Sequence, residues 1–143
     1  MMINVRANGT PKPQPRPRAF ARGGRARVYD PGTAEAWKSA VASAFQPYAG
    51  RAFTDPLHLL ITFYLPRPKS HFGTGRNATL LKDSSPVYHT QKPDCDNLAK
   101  AVMDCLSDIG LWRDDCQVIG LTVKKMWDTN TKNGPGARII IHD

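Results

Sequence analysis

Two aspartates separated by one residue, Asp94 and Asp96, are followed by Lys100 four positions later and by the adjacent pair Asp114 and Asp115. All lie in the run Lys92 to Val118, KPDCDNLAKAVMDCLSDIGLWRDDCQV. Leu98, Ala101, Val102, Cys105 and Leu106 recur there at helical spacing, which predicts an amphipathic helix ending near Gly110. At about 100° per residue, Asp96, Lys100 and Asp104 share the face opposite the Leu98, Val102 and Cys105 stripe. Asp94 sits just before the helix, and Asp114 and Asp115 open the strand that follows. A return of that strand to the helix N-terminus would gather three or four carboxylates and one lysine within a few ångströms. Like charges that close repel unless a cation sits among them. Mg²⁺ takes hard oxygen ligands and keeps several waters, so two or three aspartates suffice when a substrate phosphate completes the shell. Such ions activate water and neutralise the leaving oxygen in phosphodiester hydrolysis, and a lysine one turn away adds transition-state stabilisation.

Each member also has a plain structural reading. Asp94 or Asp96 caps the helix. Asp96 and Lys100 form an i, i+4 surface pair. Asp114 and Asp115 make a solvated turn. Capping needs one acid, however, and these readings explain the members without explaining their accumulation.

The surrounding charge makes the accumulation stand out. The chain has 143 residues and a net charge of +8, with 20 Lys and Arg against 12 acids. Seven basic residues and one acid fall in residues 1–30, whereas residues 93–143 carry six and eight. Half of the acids lie between Asp94 and Asp115. A basic surface of this size points to a polyanion such as nucleic acid, bound through phosphate neutralisation and counterion release.

The elements that must position these groups follow from periodicity. Ile3, Val5 and Ala7 alternate as a short strand. Residues 9–30 form a basic, proline-rich arm, with Pro11, Pro13, Pro15 and Pro17 excluding helix. Asp30 before Pro31 signals a helix start, and Trp37, Val41, Ala44 and Phe45 predict an amphipathic helix ending near Pro47. Leu57, Leu59, Ile61, Phe63 and Leu65 alternate as a strand. Residues 69–90 show no period and read as a long loop. Strands are predicted over 118–127 and 137–141, with the turn Asn133-Gly134-Pro135-Gly136 between them. The sum is one α+β domain over residues 1–143, a mixed sheet carrying two main helices. No apolar run is long enough for a membrane span, and no signal peptide opens the chain. Cys95, Cys105 and Cys116 fit neither a disulfide framework nor a zinc site. They read as reduced, buried thiols of a cytoplasmic protein.

DCDNLAK, Asp94 to Lys100, followed by GLWRDDCQV, Gly110 to Val118, closely resembles the RusA family of Holliday junction resolvases, and YHTQKP with its preceding loop is similar to the phage and prophage branch. The resemblance implies a homodimeric endodeoxyribonuclease that cuts four-way DNA junctions by paired symmetric incisions in recombination and repair. It uses Mg²⁺, with Mn²⁺ able to substitute. Carried onto this sequence, the family's essential aspartates fall on Asp94, Asp96 and Asp115 and its lysine on Lys100, with Asp114 a further candidate ligand. A homodimer suits a two-fold symmetric junction.

Arg16, Arg18, Arg22, Arg25, Arg27, Lys69, Arg76 and one of Lys124 and Lys125, taken as Lys124, are then candidates for DNA backbone contact. His71 and His89 read as polar loop surface, Phe72 or Tyr88 as a residue able to stack on a base, and Trp37 and Trp112 as core. Two alternatives share parts of this pattern. A basic architectural DNA-binding protein explains the charge but not the acids, and a nuclease for other branched DNA shares all the chemistry.

Overall fold

A computed structural model describes the backbone of residues 1–15, 18–22, 25–29, 34–129 and 132–143, and the side chains of 1–15, 34–129 and 132–143. Among the described residues, six strands and two α-helices run in the order β1 (Met2–Asn8), β2 (Arg18–Arg22), β3 (Arg25–Tyr29), α1 (Glu35–Ala44), β4 (Leu57–Leu65), α2 (Cys95–Asp108), β5 (Val118–Trp127) and β6 (Gly136–His142). The predicted α+β class with a mixed sheet and two helices is the observed one.

The sheet order is β1-β6-β4-β5, with β4 and β5 parallel and the other pairs antiparallel. β4 is its spine. Its alternation of Leu57, Leu59, Ile61, Phe63 and Leu65 puts five side chains, all under 5% exposed, into the core. Trp37, Val41 and Phe45 from the α1 region and Leu98, Val102, Cys105 and Leu106 from α2 join them in one cluster, so both helices bury their apolar stripes on the same sheet face. β6 crosses over β4 after the predicted turn and inserts beside β1. Its first residue must be glycine, because a Cβ on Gly136 would stand 2.4 Å from the Ala7 carbonyl oxygen.

α2 stops as the sequence predicts. Gly110 takes a positive φ of 74°, its N–H donates to the Ser107 carbonyl, and the Leu111 N–H reaches back to the Leu106 carbonyl. That pair of bonds is a Schellman cap, which satisfies two of the orphan carbonyls and sends the chain towards β5.

Three readings change. The arm over 9–30, predicted only as extended, contains the antiparallel pair β2–β3. α1 begins at Glu35 after Ala34, with no side-chain cap, and the proposed start at Asp30-Pro31 lies outside the described residues. Of the three free cysteines only Cys105 is buried, while Cys116 is exposed. Trp37 and Trp112 are core, both at 2% exposure. Among the described residues no helix is long and apolar enough to cross a membrane.

Candidate active site

The first acid pair stands at the N-terminal end of α2. Asp94 occupies the cap position with extended backbone, yet its side chain accepts no helix N–H. Both Asp94 and Asp96 are exposed, and one Asp96 oxygen accepts the Asn97 N–H at 2.9 Å. The approach to the pair is fixed from below. Lys125, on the face of β5 that turns towards the helices, donates from Nζ to the carbonyls of Gln91 at 2.6 Å and Pro93 at 2.7 Å. Its ammonium thus sits one residue from Asp94. From the other side the Gln14 N–H donates to the Asn97 carbonyl at 3.0 Å, seating the proline-rich segment on the first turn of α2. Lys100 pairs with Asp104 at 3.3 Å rather than with Asp96, and its side chain stays 62% exposed.

Asp114 and Asp115 belong to the opposite end of the helix. Asp115 opens a short 3₁₀ turn, and its Oδ1 accepts the Ser107 hydroxyl and, at 3.0 Å, the indole N–H of buried Trp112. Asp114 caps that turn by accepting the Cys116 N–H at 3.0 Å. Gln117 completes the box: its Oε1 accepts the Asp114 N–H at 3.2 Å and its amide donates to the Phe53 carbonyl at 2.7 Å. Asp114 therefore does the job that a lone acid was expected to do before α2.

A single chain does not collect the acids as the sequence reading expected. Asp115 is bonded to Ser107, thirteen residues along α2 from Asp94, and at about 1.5 Å per residue that is roughly 20 Å. Ligands of one Mg²⁺ must all lie about 2.0–2.1 Å from it. Accordingly, among the described residues no three His, Cys, Asp or Glu side chains could hold one metal ion. The chain returns to β5 from the far end of α2, because β5 runs antiparallel to the helix and only its C-terminal residues reach the Asp94 end. Asp94 and Asp96 remain an oxygen donor pair that suits a hard cation as part of its shell.

Of the DNA-contact candidates, Lys69, Arg76 and Lys124 are exposed, whereas the side chains of Arg16, Arg18, Arg22, Arg25 and Arg27 lie outside the described residues. Lys124 points to the open sheet face, away from Lys125 and the acids. The histidines of the loop are not surface decoration. His71 is half-buried and His89 is 6% exposed. Both rings contact Trp127, with centroids 4.7 and 4.4 Å from the indole. Burial and the charge of Lys125 hold the His89 pKa below its ordinary value. Lys125, weighed only as an alternative DNA contact, and Ser107 were not legible as supports of the acid pairs, since one acts through bonds to residues more than thirty positions away and the other through the turn that follows the helix. Tyr88 is 64% exposed, while Phe72 is partly buried and bridges to Leu81.

The sequence matches the family model described as endodeoxyribonuclease RusA over residues 8–141. It is also 32% identical over 126 residues to the uncharacterized protein YqaN of Bacillus subtilis (strain 168), a match that spans 87% of each chain. The family match begins at the last residue of β1 and takes in both helices, the two acid pairs, β4, β5 and all but the last residue of β6. With almost the whole fold and both acid-bearing segments inside one family model, the chain belongs to the RusA endodeoxyribonuclease family.

Proposed function

We propose that this protein is a divalent-metal-dependent Holliday junction resolvase acting as a homodimer, with Asp94, Asp96, Asp115 and Lys100 as its catalytic groups. The family supplies the coarser activity, endonucleolytic resolution of junctions in DNA recombination. The observation that supports the finer reading is the uncapped, exposed Asp94 beside Asp96, held in place by Lys125 beneath an otherwise basic protein. An aspartate at a cap position that accepts no N–H forgoes about 0.5–2 kcal/mol of helix stabilisation, which calls for another use of its oxygens.

The division of the acids supports the dimer. Asp115 lies a helix length from Asp94, so a centre that uses all three requires Asp115 from a second copy. Two such composite centres are related by a two-fold axis, matching the symmetry of a four-way junction and placing one cut on each of two opposed strands. When bound, a divalent cation, Mg²⁺ or Mn²⁺, supplies the charge that activates water and neutralises the leaving oxygen. Asp94 and Asp96 provide hard oxygens for it, and Lys100, exposed and paired with half-buried Asp104, is positioned to turn towards a phosphate oxygen. Ser107 and Trp112 fix the rotamer of Asp115 before any partner arrives. Exposed basic residues, including Lys69, Arg76 and Lys124, hold the DNA backbone.

The test is cleavage of a labelled four-way junction beside its matched linear duplex, with Mg²⁺ or EDTA. Paired nicks in opposed strands, lost with EDTA and in Asp96→Asn while junction binding persists, are the expected result. Metal-independent cutting, or full cutting by Asp96→Asn, overturns the assignment. Binding without cutting in any metal restores the architectural alternative.

A further inference from the structure

An open groove of about 910 Å³ runs from Asp94 along the C-terminal ends of β4 and β5 to the proline-rich segment after β1. Resting on the nuclease reading above, we propose that this groove holds one unstacked nucleobase of the bound DNA, that of a nucleotide neighbouring the phosphate at Asp94.

The chemistry of the lining carries the assignment. Pro11, Pro13, Pro68 and Pro93 contribute flat, apolar ring faces with no hydrogen on nitrogen to donate, and Trp127 lies behind them. Such walls accept a planar ring. Lys12 and Lys92, both exposed, stand among the lining residues and suit the phosphates on either side of that ring. The groove is continuous with the acid pair, since Asp94 and Asn97 are part of its lining.

His89 is the polar group that a base edge would meet. It lines the groove at 6% exposure, and among the described residues its Nδ1, shut off from solvent in the unbound protein, has no hydrogen-bond partner, so that a turn of the ring is what presents it to a base edge. A buried imidazole nitrogen left unpaired is costly and needs a reason, and an incoming partner is one. The ring packs on Trp127, which His71 contacts as well. A neutral imidazole presents one donor and one acceptor, the same vocabulary as a nucleobase edge. The site thus combines an aromatic floor, apolar walls, a cationic rim and a polar atom that has no partner among the described residues.

The experiment is fluorescence-anisotropy binding in EDTA with four-way junctions carrying a single abasic tetrahydrofuran residue at each position around the crossover. Wild-type protein is expected to lose about 10-fold in affinity at one position and little at its neighbours, the size of one lost base contact. His89→Ala should bind the intact junction more weakly and lose no further affinity at that position. Thr10→Trp, which places a ring at the exposed groove mouth without touching the core, should behave the same way and serves if His89→Ala does not fold. A flat response of the wild type to every abasic position, or an undiminished penalty in both variants, overturns the groove assignment. Junction cutting with a flat abasic response removes the groove alone, whereas failure to bind junctions at all removes the nuclease reading with it.

Discussion

Asp94 and Asp115 stand at opposite ends of the same helix and are the same residue type, yet their surroundings differ completely. Asp94 is exposed, its side chain accepts nothing from the helix it precedes, and it rests on a peptide segment clamped by Lys125. Asp115 is half-buried and already accepts a hydroxyl and an indole N–H, beside an Asp114 that closes a capping box. One end leaves its carboxylates available on a rigid backbone. The other spends hydrogen bonds on fixing a carboxylate in one orientation. A centre that joins the two ends between copies would combine an open pair with a preset third ligand, and neither end is complete alone.

The largest expected effect breaks that pairing of ends. Asp96→Asn and Asp115→Asn should each lower junction cleavage by about 10³-fold or more. If the centres are composite, mixing the two inactive proteins regenerates one intact centre in each heterodimer, about a quarter of all centres after random exchange. The mixture should therefore nick one strand of a junction without the paired second cut. Centres built within one chain predict no recovery on mixing, and strand-resolved gels separate the two outcomes.

Lys125→Met comes next. It removes both bonds that hold Gln91 and Pro93, letting the acid pair drift while leaving its charge intact. A displacement near 1 Å costs on the order of 10²-fold in rate. Cleavage should fall by about that amount with junction affinity nearly unchanged; an equal loss in both would mark Lys125 as a DNA contact instead.

Stability sharpens the contrast between the ends. Asp115→Ala leaves the Ser107 hydroxyl without its acceptor, while the Trp112 N–H keeps Ser107 Oγ at 2.7 Å, at a cost of about 1 kcal/mol. Asp94→Ala removes no side-chain cap bond and should change stability by less than about 0.5 kcal/mol. Urea unfolding of both variants measures the difference, and equal losses would erase the distinction drawn between the two ends.

How far the sequence could lead is visible in these residues. The strand over 57–65 and the helix carrying Leu98 to Leu106 were legible because burial on one face imposes a strict period. Asp94, Asp96 and Lys100 were legible as a motif because helix geometry fixes their spacing. Where Asp115 would go was not, since the direction in which a chain re-enters a sheet is decided by strand order, here β5 parallel to β4 at an edge. His89 was misread for a related reason. A histidine in an aperiodic loop carries no local sign that Trp127, nearly forty residues later, will bury it.

Acidity probes the Asp94 end through that same histidine. The folded protein holds the His89 pKa below 6.5, first by burial and then by the charge of Lys125. The unfolded chain therefore binds the proton more readily, and stability contributed by neutral His89 is present above pH 6.5 and is lost as pH falls towards the folded value. Urea unfolding at pH 7.5 and 5.5 should show a decline that His89→Gln makes shallower. An identical decline in the variant would place the sensitivity elsewhere.

The smallest effect concerns Lys100 and tests whether its ion pair is structural. The Lys100–Asp104 contact spans 3.3 Å between side chains 62% and 27% exposed, an i, i+4 surface pair of the kind worth about 0.3–0.5 kcal/mol. Asp104→Asn should then shift stability by no more than about 0.5 kcal/mol. Its effect on cleavage should have the opposite sign: with Asp104 neutral, the ammonium is released towards the Asp96 end and one negative charge no longer opposes DNA. A modest rise in cleavage at low salt that fades as ionic strength screens exposed charges fits a Lys100 that works on phosphate. A fall in cleavage would mean that Asp104 holds Lys100 in its working position, making the pair part of the active end of the helix.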